Sequence, residues 1–91
     1  LTPCTEERID AHLQRHFRVP PDLRREEFTV VNLEVRTNGK IGRIHCAPAP
    51  SKAVQQELER VLHALPLFVP GSQNGHPVAV IYQLPFRVAR R

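Results

Sequence analysis

The stretch FTVVNLEVRTNGKIGRIHCA, from Phe28 to Ala47, decides the fold of this chain. From Thr29 to Arg36 one set of alternating positions is mainly apolar, as in a strand with one buried face. Asn38-Gly39 then predicts a hairpin, because both residues tolerate positive φ. A two-residue loop at this turn predicts the strand pairs Leu33 with Ile44, Val31 with Cys46, and Glu34 with Arg43.

Two helices and a further strand surround this hairpin along the chain. The first helix is predicted from Thr5 to Phe17, where apolar residues recur at every fourth position. The second is predicted from Lys52 to about Leu65, with Ser51 as its N-cap and an apolar stripe that begins at Val54. The last strand is predicted from Pro77 to about Phe86. The order of elements is therefore αββαβ.

This order predicts a single two-layer α+β domain over residues 1–91, with both helices on one face of an antiparallel sheet. The three strands are expected in the order 2-1-3, because the helical connection to the last strand skips one strand. That topology makes the last strand an edge of the sheet. The predicted core comprises Ile9, Leu13, Phe17, Val31, Leu33, Val35, Ile44, Val54, Leu58, Val61, Leu62, Val78, Val80, Tyr82 and Leu84.

The charge and aromatic content argue against a nucleic-acid partner. The chain has 13 Lys and Arg against 9 Asp and Glu, and the basic residues are spread along it rather than clustered. Among the aromatic residues only Phe28 is predicted to face the outer side of the sheet, where a single-strand binder needs stacking platforms. A nucleic-acid-binding α+β domain is therefore a lesser alternative.

The residue types predict no catalytic, cofactor-binding or metal centre, and we expect a protein that is not an enzyme. His12 and His16 have the i, i+4 spacing of zinc ligands, but no third ligand is near them in the sequence. His45 and Cys46 are neighbours on a strand, so their side chains point to opposite faces and cannot form a nucleophile–base pair. Cys4 and Cys46 permit one disulfide bond.

The chain resembles the C-terminal domain of TonB-type energy transducers, in the versions common in Bacteroidetes-type bacteria. The most specific match is the run Pro66-Leu67-Phe68-Val69-Pro70-Gly71, followed by Gln73-Asn74-Gly75, Pro77-Val78 and Leu84-Pro85. Val19-Pro20 and the turn at Asn38-Gly39 also match, so that the resemblance covers essentially the whole chain. Val19 and Phe68 depart from the usual aromatic residues, and Arg24-Arg25-Glu26-Glu27 replaces a Gly-x-x-Gly.

In that family the last strand accepts a short extended peptide, the TonB box of an outer-membrane receptor, as an added strand. The resemblance therefore implies a partner-binding edge formed by Val78, Ala79, Val80, Ile81, Tyr82, Gln83 and Leu84. The loop that carries the family motif contains Pro66, Phe68, Pro70, Gly71, Gln73, Asn74 and Gly75.

The resemblance further implies a periplasmic domain that supports energy-dependent transport. Because the chain begins at Leu1 without a Met, we expect a domain of a longer envelope protein, attached to the inner membrane only through an upstream segment. The alternative is a TonB-like interaction or sensory module of another envelope protein, such as one fused to a membrane metallopeptidase sensor. In either case the last strand could also pair with its twin in a homodimer.

Overall fold

The computed structural model describes residues 5–65 and 71–89. Their elements are α1 (Thr5–His16), β1 (Glu27–Val35), β2 (Ile41–Ala47), α2 (Lys52–His63), β3 (Gly71–Gln73), β4 (His76–Val78) and β5 (Val80–Val88). The strands β2, β1 and β5 form one antiparallel sheet in that order, and β3 and β4 form a second, two-stranded sheet. The predicted α+β class and the central position of the first strand are confirmed.

The core lies between one face of the three-stranded sheet and the two helices. In β1 the side chains alternate between buried and half-buried from Thr29 to Val35, as the period of a strand requires. The apolar stripe of α2 is buried, and α2 packs against α1 and β2. The buried apolar residues are Ile9, Leu13, Leu23, Val31, Leu33, Val35, Cys46, Val54, Leu58, Val61, Leu62, Leu84, Phe86 and Val88.

Most of the predicted core is therefore confirmed, and the differences lie at its margins. Phe17, Ile44 and Tyr82 are partly buried and pack against the core rather than inside it. Val78 and Val80 are half-buried; Val78 ends β4 and Val80 begins β5. Phe86, at the predicted end of the strand, and Val88, to which β5 extends, are buried instead.

The predicted hairpin register is confirmed in its middle and wrong at its turn. Val31 pairs with Cys46 and Leu33 with Ile44, but the register shifts by one residue before the loop. The loop has three residues rather than two, because the Arg36 N–H donates to the Lys40 carbonyl at 2.8 Å. Gly39 alone takes the positive φ, 81°, in a turn closed by its own N–H and the Arg36 carbonyl at 2.9 Å.

Ser51 is the N-cap of α2, as predicted, but its side chain makes no capping hydrogen bond. The Ser51 N–H donates to Glu27 Oε1 at 2.7 Å, and its carbonyl accepts the Gln55 N–H at 2.9 Å. The contact with Glu27 fixes the helix start to the beginning of β1. Neither helix of the described part of the chain is long and apolar enough to span a membrane.

The predicted last strand is two elements rather than one. Asn74 and Gly75 take φ values of 54° and 80°, which close a tight hairpin between β3 and β4. Val78 ends β4, Ala79 lies between the strands, and β5 begins at Val80. The Asn-Gly dipeptide between Gln73 and His76 is the sequence feature that indicates this hairpin.

Candidate functional site

The three-stranded sheet has two outer strands, β2 and β5, and they differ as pairing surfaces. In residues 5–65 and 71–89, each of these strands pairs only with β1. A strand edge presents backbone N–H and C=O groups that a further strand can use. Which of the two edges can pair with a further strand therefore depends on how regular its backbone is.

The edge of β2 is interrupted by a β-bulge. The register shift places both Gly42 and Arg43 opposite Glu34, and the Arg43 N–H donates to Glu34 Oε1 at 3.2 Å. A Cβ at Gly42 would overlap the Glu34 carboxylate and the Arg36 side chain, so a larger residue there would displace these two flexible side chains. Bulges and basic side chains are devices that protect edges from further pairing. Gly42, an isolated glycine inside a strand pattern, is the sequence feature that indicates the bulge.

The same contact determines how the predicted strand pair Glu34 and Arg43 interacts. Glu34 and Arg43 do lie opposite each other, but the Glu34 carboxylate accepts the Arg43 backbone N–H and forms its ion pair with Arg36, at 3.5 Å. The hydrogen bond from the Arg43 backbone holds the pKa of Glu34 below its usual value, and the Arg36 guanidinium acts in the same direction.

The edge of β5 is regular over nine residues and follows β1 without a register shift from Glu27↔Val88 to Val35↔Val80. Because the Arg36 N–H points to β2, the even-numbered residues of β1 direct their backbone groups to β2 and the odd-numbered ones to β5. Their partners Val80, Tyr82 and Leu84 therefore bond to β1. It follows that Ile81 and Gln83 direct their N–H and C=O groups away from β1.

Pro85, like Ile81 and Gln83, directs its backbone groups away from β1, and this position suits a proline. Proline has no N–H to donate, so within a sheet it belongs where its nitrogen points to the outside. At the outer edge Pro85 therefore offers a carbonyl and no donor. The part of the edge with complete backbone groups is centred on Ile81 and Gln83, with Arg87 beyond the proline.

The side chains of these edge residues lie on the sheet face opposite the helices, which we call the open face. Ile81 is 67% exposed, although it is a large apolar residue. It lines a groove of about 490 Å³ together with Ala79 and the polar side chains Asn32, Glu34, Arg36, Thr37, Arg43 and His45. An exposed β-branched residue on an edge strand is poor protection against pairing.

A row of amide groups crosses the open face at Gln83. Gln83 Nε2 donates to Asn32 Oδ1 at 3.0 Å, and Asn32 Nδ2 donates to the His45 carbonyl at 3.3 Å. Gln83, Asn32 and His45 are register partners on β5, β1 and β2. The row thus runs over all three strands and reaches the β5 edge at Gln83.

The C-terminal end of the β5 edge carries the charged residue Arg87. Arg87 Nη1 lies 2.9 Å from Glu26 Oε1, and its guanidinium lies over the Phe28 ring at 5.8 Å from the centroid. Phe28 is 46% exposed and faces the open side, as predicted. The Arg87 cation is therefore already paired and stacked.

The structure places the predicted edge residues in two groups. Val80, Ile81, Tyr82, Gln83 and Leu84 form one continuous part of β5, whereas Val78 belongs to β4 and Ala79 to neither strand. Of the predicted motif loop, Gly71 and Gln73 bound β3 and Asn74-Gly75 forms its turn. Pro66, Phe68 and Pro70 lie outside the described residues.

His12, His16 and Cys46, the candidate site residues outside the β5 edge, make contacts within the fold. His12 Nε2 donates to the Val61 carbonyl at 3.1 Å, which ties α1 to α2, and the His16 ring lies 4.5 Å from the His12 ring. No group of three or more His, Cys, Asp or Glu in the described part of the chain could hold a metal ion. Cys46 is buried, and burial raises the pKa of its thiol. Cys4 lies outside the described residues, so the disulfide stays a prediction.

A scan against protein-family models, a search of curated proteins and a search of solved structures each returned no match to this chain.

Proposed function

We propose that this domain binds an extended peptide segment by adding it as a fourth strand at the outer edge of β5. The observation that carries the proposal is the regular, nine-residue β5, which pairs only with β1 among the described residues. Backbone hydrogen bonds to Ile81 and Gln83 would supply the affinity. The bulged edge of β2 is the poorer alternative for the same reason that bulges protect other sheets.

The identity of the partner rests on the resemblance to TonB-type energy transducers. We propose that the peptide is the TonB box of an outer-membrane receptor, and that the domain works in the periplasm as part of an inner-membrane-anchored protein that supports transport. What supports this is the motif from Pro66 to Gly75, Leu84-Pro85 and the edge position of β5. A sensory or interaction module of another envelope protein would use the same edge.

The edge is tested by removing one backbone donor. Ile81→Pro deletes an N–H that points away from β1. It leaves the hydrogen bonds between β5 and β1 in place, because the nitrogen of Ile81, like that of Pro85, points to the outer edge. We expect binding of extended peptides from outer-membrane receptors to fall at least about ten-fold, by the loss of a backbone hydrogen bond and the steric conflict of the ring. The measurement is a two-dimensional NMR titration.

Ile81→Val is the matched control, since it keeps the N–H and an apolar β-branched side chain that suits a strand. It should bind within a few-fold of the unchanged chain. Shift changes confined to the helices or to the turn at Gly39, with Val80–Leu84 unaffected, would refute strand addition at β5. Binding by peptides unrelated to receptors, at the same edge, would instead favour the alternative envelope partner.

A further inference from the structure

The row of amides on the open face has a consequence for the kind of peptide that fits β5. We infer that the added strand carries a hydrogen-bonding side chain (Asn, Gln, Ser or Thr) beside Gln83 and an apolar side chain beside Ile81, two positions apart. This inference rests on the proposed function, because it describes the partner of the same edge. It concerns side-chain selection, which the backbone ladder by itself does not supply.

The polar position follows from the bonds of Gln83. Its Nε2 donates one hydrogen to Asn32 Oδ1 at 3.0 Å, and a primary amide has a second N–H and a carbonyl oxygen besides. These groups are at the end of the row that begins at the His45 carbonyl. A neighbouring amide or hydroxyl on a fourth strand would continue the row, as Asn and Gln ladders do between stacked strands.

The apolar position follows from the exposure of Ile81. At 67% exposed, it has most of its surface available to a side chain on the next strand. Register partners on adjacent strands lie about 5 Å apart at Cβ, close enough for direct packing of β-branched residues. The register partner of Ile81 on β1 is Glu34, whose carboxylate is bound to the Arg43 backbone and Arg36. Apolar contact for Ile81 is therefore best found on the added strand.

Pro85 limits how far this selection extends. It offers no N–H at the edge, so the complete backbone pairing stops beside Gln83. Beyond it, Arg87 is already bound to Glu26, which removes a reason for an acidic residue at that end of the peptide. The selective part of the peptide is thus the pair of side chains beside Ile81 and Gln83.

The test is selection of displayed random nine-residue peptides on the 91-residue chain. Selected peptides should have a polar amide or hydroxyl residue two positions from Val, Ile or Leu. If the polar residue precedes the apolar one in the peptide sequence, the peptide adds antiparallel to β5. If the apolar residue comes first, the peptide adds parallel to β5. In a selected peptide, Val in place of the polar residue should weaken binding to the unchanged chain about two- to five-fold.

Gln83→Val should replace the polar preference by an apolar one, and the loss of affinity caused by Val in place of the polar peptide residue should disappear. Gln56→Val, on the exposed side of α2, is the matched control and should leave the preference unchanged. Gln83→Thr keeps a polar group at the row and should retain the polar preference. The single-residue peptide series on the unchanged chain gives the same answer if Gln83→Val does not fold.

Two kinds of failure are distinguishable. If Ile81→Pro abolishes binding but neither Gln83→Val nor the peptide substitution changes selection, the edge is used and the inferred side-chain preference is wrong. If no extended peptide binds, or if binding is insensitive to Ile81→Pro, the proposed function itself is wrong.

Discussion

Several single residues join elements that are distant in the chain. Thr29, which is 2% exposed, donates its hydroxyl hydrogen to the Pro48 carbonyl at 2.8 Å, so its buried polar group is satisfied. The Glu57 carboxylate accepts the Arg18 N–H at 2.8 Å and binds Arg60 at 2.6 Å. The bond to Arg60 holds the pKa of Glu57 below its usual value. These contacts connect the chain after α1 to α2, and β1 to the chain after β2.

Cys46 is expected to be unreactive in the folded protein. Its side chain is buried at 7% exposure, and burial raises the pKa of its thiol, which disfavours the reactive thiolate. In a Cys4→Ser variant, where Cys46 is the remaining thiol, labelling by a disulfide reagent should be slower than in urea by on the order of 100-fold or more.

The sign of the pH effect follows from the raised pKa of Cys46. The thiol contributes fully to stability below its pKa in the unfolded chain, and stability falls as the pH rises from there towards the pKa in the fold. Cys46→Ala should therefore reduce the loss of stability at alkaline pH. Labelling of the native protein as fast as in urea would show that Cys46 is accessible.

Among the elements, α2 is packed into the core, whereas the β3–β4 hairpin has few contacts with the rest of the described chain. Val54, Leu58, Val61 and Leu62 make α2 part of the core, and each is at most 1% exposed. The β3–β4 hairpin packs mainly on itself, with few contacts to the rest of the described chain. Two short strands alone are marginally stable in water. The helix should therefore unfold with the domain, whereas the hairpin can open locally.

Leu58→Ala tests the position of α2. Leu58 is fully buried, so the substitution should cost ~2–5 kcal/mol of unfolding free energy through lost burial and a residual cavity. Urea denaturation measures the change. Gln56→Ala, exposed on the same helix, is the control and should change the stability by less than ~0.5 kcal/mol. Similar losses for both substitutions would contradict the packing of α2 on the sheet.

Two glycines with the same backbone angle test whether the β3–β4 hairpin is independent. Gly39 and Gly75 have φ values of 81° and 80°, so alanine is strained by about 1–2 kcal/mol at either position. Gly39 closes the turn between β1 and β2, whereas a Cβ at Gly75 meets nothing within 4 Å. Gly39→Ala should lower the global unfolding free energy, and Gly75→Ala should not. Equal losses would show that the hairpin unfolds together with the main sheet.

The whole molecule is elongated, with principal extents of 48 × 26 × 18 Å and a radius of gyration of 13.9 Å. A compact chain of this length has a radius of gyration of about 12 Å. Along the chain, β4 and β5 are separated only by Ala79, so nearly the entire stretch from His76 to Val88 is strand. The result is a long strand system on one side of a small core.

The exposed edge also predicts weak self-association. Two copies of β5 related by a two-fold axis at Tyr82 would pair Ile81 of one copy with Gln83 of the other, which matches their outward backbone groups. Sedimentation equilibrium should show a dimer whose fraction rises with concentration and falls when a binding peptide is added. Ile81→Pro should sediment as a monomer at every concentration. A dimer that persists in Ile81→Pro would place the contact elsewhere.

The sequence by itself determined the order of the elements from α1 to α2, the register at the centre of the hairpin and most of the core. These depend on periodicity, because a strand that is shifted by one residue moves Leu33 and Val31 to the open face. The Gln83 amide row was not predictable in the same way. It requires β5 to lie beside β1 in register, and its partners Asn32 and Gln83 are 51 residues apart.

Only the tertiary structure decided the details that depend on where backbone groups point. Asn38-Gly39 is compatible with a two- or a three-residue loop, and the bulge at Gly42 selects the latter by shifting the register. Likewise, the apolar run from Val78 to Leu84 predicts one strand. In the structure Val78 pairs with Gly71 instead, in the separate sheet formed by the hairpin at Asn74-Gly75. Local preferences define which conformations are available, and pairing between distant strands chooses among them, because that is where the hydrogen bonds and buried area are gained.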